Sequence, residues 1–181
     1  MPHTLDPADR AEALAGLTPA ELERYSASPA DAFLAGRLLL RRLTAELTGE
    51  AAELTAECPD CGGAHGKPGI PGSKLQLSLS HGAGVVVAAA VFGARVGVDH
   101  DSAAPEALAA IGALTGEATL QRWTRVEAIL KADGRGLRVD PSQVLIDGDV
   151  GRVAESPTRY ALEERELAPG LRVSLARELI D

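Results

Sequence analysis

With 181 residues, 45% of them hydrophobic and 24% charged, the chain is long enough for one medium domain or two small halves that bury a core without disulfide staples. The formal net charge is −8 and neither half is basic, so general nucleic-acid binding through phosphate neutralisation is not expected. No window is apolar enough for a membrane span, and Met1–Arg10 lacks a charged-then-apolar leader pattern, so no membrane partner and a cytoplasmic location are expected.

Thr18 precedes "PAELERY" with proline at the first helical position and Glu21 three residues on, a capping box that starts a helix. Asp31 is placed to cap a second, in which "AFLAGRLLLRRLTAEL" repeats apolar residues at helical spacing until Gly49. Pro59–Gly72 is rich in glycine and proline and reads as loop. "KLQLSLS" and "GVVVAAAVFGARVGVD" follow as two adjacent strands joined near His81–Gly84. After Asp101 the pattern is helical again, through "PEALAAIGAL" and "EATLQRWTRVEAILKADG", with Gly134 as the C-terminal stop. "GLRVDPSQVLIDGDVGRVAE" and "GLRVSLARE" read as strands, with a turn at Asp147–Gly148. The fold class is therefore α+β, with two similar halves over residues 1–98 and 99–181 and no repeat of fixed period.

Chemistry concentrates in a few places. In "GVDHD" an extended strand puts Asp99 and Asp101 on one face while His100 points away. Two neighbouring carboxylates repel unless a cation lies between them; the plainer alternative is a solvated strand end. Trp123, Glu127 and Lys131 recur every four residues on one helix face, where Glu127 and Lys131 alone would be an ordinary salt bridge. Asp99, Asp101 and Glu127 together make a hard-oxygen set suited to Mg²⁺. Ser80 and His81 at a strand end, and Lys67 in a Gly/Pro loop, are candidate contacts for a phosphate. Cys58, Cys61 and His65 in "CPDCGGAH" offer three soft donors for zinc, against the plainer reading of reduced thiols in a turn.

"HGKP", "LSLSHG", "GVDHD" and "WTRVEAILKADGRGL", in that order and over roughly Leu17 to Leu145, resemble the 4′-phosphopantetheinyl transferase superfamily, specifically the larger monomeric surfactin-synthetase-activating type. The resemblance implies a pseudo-twofold fold and Mg²⁺ held on the coenzyme A diphosphate by Asp99, Asp101 and Glu127. It implies that His81, with Ser80 beside it, contacts a coenzyme A phosphate, and that Lys67 and Lys131 lie near phosphates. Members carry a basic residue near the start of the N-terminal helix; Ala32 stands there, and Arg41 is the candidate among the arginines that follow. The implied reaction is attack by a serine of an apo acyl or peptidyl carrier protein on the pantetheine-side phosphorus, with release of adenosine 3′,5′-bisphosphate. Glu127 is the candidate base, directly or through a water held by the ion, and Lys131 its catalytic neighbour. Arg122 and Arg125 are the candidate docking cluster for the carrier. Departures are Asp101 where the family has glutamate and Val126 where it has lysine. They keep a noncatalytic binder of coenzyme A or carrier protein open, beside a small zinc protein.

Overall fold

The computed structural model describes residues 4–100, 108–169 and 171–180, so Asp101 lies outside the described residues. The architecture is mixed α and β, with five α-helices and two sheets among those residues. Helix α1 (Pro7–Ala15), with proline in its first turn, is capped by Asp6, whose side chain accepts the Asp9 N–H at 2.8 Å. This helix is not among the sequence expectations. Helix α2 (Pro19–Ala27) opens with the expected capping box, Thr18 and Glu21 each accepting the other's backbone N–H. Helix α3 (Asp31–Thr48) closes on left-handed Gly49 as expected, but its N-cap is Ala30. Asp31 is not a cap; it is the first helical residue, and its carboxylate takes the Arg10 guanidinium instead.

Strands β1 (Leu75–Gly82) and β2 (Val85–Phe92) form an antiparallel hairpin, turned through Ala83 and Gly84 at positive φ. Leu34 and Leu38 of α3 pack with Val86, and Leu40 packs with Leu75 and Leu77. The apolar run expected as one strand divides at Gly93 (φ 73°), and its end becomes β3 (Val96–His100). Strand β3 leaves the hairpin and pairs antiparallel with β7 (Leu171–Glu178) at the edge of a five-stranded sheet, β3-β7-β6-β5-β4. Residues before position 99 thus contribute to the second sheet.

The rest of that sheet is β4 (Val144–Asp147), β5 (Val150–Val153) and β6 (Tyr160–Ala168), with the expected turn between β4 and β5 at left-handed Gly148. "GLR" at 136–138 is a 3₁₀ turn, not a strand. Strand β6 has no counterpart among the sequence expectations because Glu163–Ala168 are all exposed and mostly charged, so no apolar alternation marks them. Short helix α4 (Leu108–Thr115) precedes α5 (Leu120–Asp133), which lies across the second sheet with Val126, Ile129 and Leu130 packed on Tyr160, Leu162 and Ala176.

Gly97 explains how closely helix and strand approach. A Cβ at residue 97 would lie 1.9 Å from the Ala128 carbonyl oxygen, so only glycine lets α5 lie against β3. Between the sheets, the Ser78 hydroxyl accepts the Val98 N–H at 3.0 Å, a side-chain bond where no strand ladder exists.

Candidate active site

Ser78 and Ser80 are two apart on β1 and share a face, so both reach β3. The Ser80 hydroxyl donates to Asp99 Oδ1 at 2.6 Å. Lys131, one turn from the end of α5, donates to the same Oδ1 at 2.5 Å and to Ser80 Oγ at 3.1 Å. Glu127, one helical turn earlier, brings Oε2 within 3.6 Å of the Lys131 ammonium. Two carboxylates therefore face one cation in a mostly buried setting, with side-chain exposures of 8% for Asp99 and 15% for Glu127. Burial raises the Glu127 pKa; Lys131 opposes that shift and the charge of Asp99 adds to it.

His100, expected to point away, is buried in the same cluster. Its Nδ1 lies 3.2 Å from Ser80 Oγ, and its Nε2 lies 3.1 Å from the Gly82 carbonyl oxygen. Strict face alternation hid this residue: the end of β3 lies close enough to β1 for neighbouring side chains to reach one hydroxyl. Four of the expected site residues, Ser80, Asp99, Glu127 and Lys131, are brought together.

The others stand apart. Lys67 donates to the carbonyls of Val96 (2.7 Å), Lys131 (2.6 Å) and Ala132 (3.3 Å), which engages all three ammonium protons and closes the C-terminal end of α5. Burial, then repulsion by Arg95, lowers its pKa to about 8. His81 is exposed, on the opposite face of β1 from Ser80. Arg41 is held at 2.8 Å by Glu21, within a cluster of α2 and α3. Val126 is fully buried in the core beneath α5, so the site has no cation at that position. Arg122 donates to the Val144 carbonyl and Arg125 to the Gly148 carbonyl, bracing the β4–β5 hairpin.

Beside the cluster is a cleft of about 500 Å³ between the 58–68 loop, β1 and the segment that follows α5. Lys67, Lys131, Arg135 and Arg138 contribute to its wall, with Ser78 and Leu79 opposite. Its volume is in the range that holds a cofactor-sized ligand. No protein-family model matches the chain, and no curated protein is significantly similar to it. No described helix is long and apolar enough to cross a membrane.

Proposed function

We propose that this chain is a Mg²⁺-dependent 4′-phosphopantetheinyl transferase with two pseudo-twofold-related halves, transferring phosphopantetheine from coenzyme A to a serine of an apo acyl or peptidyl carrier protein. The observation that carries the reading is the convergence of Asp99 and Glu127 on Lys131, which itself lines a cofactor-sized cleft with a basic wall. Hard-oxygen donors that repel one another fit Mg²⁺, which takes a few carboxylates and keeps positions for water and phosphate oxygens. Asp99 and Glu127 would hold the ion, with Asp101 as the third acid the resemblance implies. Bound there, it would supply charge stabilisation to the diphosphate.

The chain's own residues account for the rest. Lys131 is the counter-charge: it offsets one of the two acid charges in the free protein and is within reach of a diphosphate in the cleft that it lines. Glu127, its pKa raised by burial, is suited to take the proton of the attacking serine hydroxyl, directly or through an intervening water. Ser80 and His100 fix the rotamer of Asp99 through a shared hydroxyl. As in other phosphoryl transfers, positioning and charge stabilisation carry the rate. In the bond exchange the serine oxygen joins the pantetheine-side phosphorus, and the phosphoanhydride oxygen leaves with adenosine 3′,5′-bisphosphate.

Incubation with coenzyme A, Mg²⁺ and a panel of apo carrier proteins, followed by mass spectrometry, tests this. A phosphopantetheine increment on a carrier serine supports the reading, and its absence across fatty-acid, polyketide and peptide carriers overturns it. Buried Val126 favours one alternative, a binder of coenzyme A or carrier protein that transfers nothing. Coenzyme A binding without the increment would identify that case.

A further inference from the structure

The 58–68 loop, which the transferase reading uses only as a cleft wall, carries three soft donors. We propose that Cys58, Cys61 and His65 form a Zn²⁺ site at the rim of the cleft, with water in the fourth position. Their ligand atoms lie within 4.8 Å of one another, and theirs is the only such group of three or more among the described residues. Tetrahedral zinc ligands stand about 3.8 Å apart when each is about 2.3 Å from the ion. Cys61 Sγ and His65 Nε2 now share a 3.0 Å contact, so entry of the ion requires them to part by under about 1 Å.

The backbone shapes the loop for this. Its ends are pinned by paired bonds between Thr55 and Gly69, at 2.9 and 2.8 Å. Inside, Gly62 N–H donates to the Cys58 carbonyl and Cys58 N–H to the Gly63 carbonyl, both at 2.8 Å, which folds the two cysteines into a knuckle. At Gly66 a Cβ would lie 2.2 Å from the Glu57 carbonyl oxygen, so the return of the chain past the first cysteine requires glycine. Both cysteines are free thiols. Asp60, between the two cysteines, is held by Arg138 at 2.5 Å, and the grouped donors form an S₂N set that selects zinc over Mg²⁺ or Ca²⁺.

Binding would release the two thiol protons and draw the loop together. Lys67 follows His65 by two residues and closes the end of α5, so the ion would fix one wall of the cleft against the helix that carries Glu127 and Lys131. None of the three ligands touches Asp99, so zinc content and transfer activity can each fail without the other.

The test is metal content of the full chain, purified with a thiol reductant and no chelator, for wild type, Cys61→Ser and His65→Ala. Both altered side chains are exposed, and circular dichroism verifies that the variants remain folded. The expected result is about one zinc per chain in wild type and a loss of more than half in each variant. Co²⁺ added to the metal-free wild type should give a thiolate-to-cobalt charge-transfer band that weakens in Cys61→Ser. Zinc-free protein that takes up no added Zn²⁺, a Cys58–Cys61 disulfide after reductive purification, or zinc content unchanged in both folded variants would overturn the proposal.

Discussion

Two charge clusters, built from the same materials, balance in opposite directions. Between α2 and α3, one acid serves two cations: Glu21, 4% exposed, stands 2.7 Å from Arg37 and 2.8 Å from Arg41. Arg37 also lies over the Phe33 ring at 5.0 Å, and Glu21 contributes to the wall of a second cleft of about 390 Å³. At the meeting of β1, β3 and α5 the stoichiometry is reversed, with Asp99 and Glu127 sharing Lys131 beside an open cleft. The first cluster ties two helices and holds more positive than negative charge. The second holds two acids for one cation, so a further cation relieves it, and its Lys131 contributes to a cleft wall. Charge balance, more than residue type, separates a structural buried network from a site.

The largest effect should come from breaking the first cluster. Glu21→Gln leaves two buried guanidiniums without their counter-charge and should cost about 3–5 kcal/mol. For a chain of this length that is a fall of roughly 6–20 °C in Tm, read by thermal denaturation. Transfer activity measured well below that temperature should persist, because Glu21 and Arg41 lie outside the Asp99 cluster.

Lys131→Met sharpens the contrast from the other side. It strips the only close cation among the described residues from two mostly buried acids and should cost about 1–3 kcal/mol in metal-free buffer, with Glu127 taking up a proton to limit the loss. Mg²⁺ should then raise the Tm of the variant more than that of wild type, since no ammonium competes for the carboxylates. An equal Mg²⁺ shift in both proteins would mean that Lys131 and the ion do not share a site.

Lys67 gives the most gradual effect, a dependence on pH that is small within any one pH unit. Its folded pKa, about 8, lies below its ordinary value of 10.5, so the folded state binds fewer protons than the unfolded one between those values. Stability should therefore rise with pH across that window, by up to about 1.4 kcal/mol per unit, and be flat on this account below pH 8. Denaturant unfolding at a series of pH values checks this, and Lys67→Met should remove the slope.

Part of the site was legible in the chain. Ser80 at a strand end, Asp99 in "GVD" and the four-residue interval from Glu127 to Lys131 each have a geometric reason that short-range pattern exposes, whereas Ser78 and Gly97 show their roles only through contacts with β3 and α5. What was hidden depends on partners distant in sequence. Glu21, 20 residues before Arg41, holds that arginine away from the cleft it was expected to serve. Lys67 meets carbonyls 29, 64 and 65 residues on, which no local reading of "HGKP" contains. His100 joins the cluster only because β1 and β3 meet through side chains, and strand alternation pointed the other way. The charged strand β6 was missed because its pairing with β7 supplies an order that its own side chains do not advertise.

The central claim is that the acid surplus at Asp99 and Glu127 binds a divalent ion. Titration calorimetry of Mg²⁺ into the full chain with coenzyme A present tests it most directly, comparing wild type with Asp99→Asn, Glu127→Gln and, below its melting temperature, Glu21→Gln. The expected result is one saturable site, weakened at least about tenfold in each of the first two variants and retained in the third. Mg²⁺ binding of equal strength in wild type, Asp99→Asn and Glu127→Gln, or none in wild type, would contradict it.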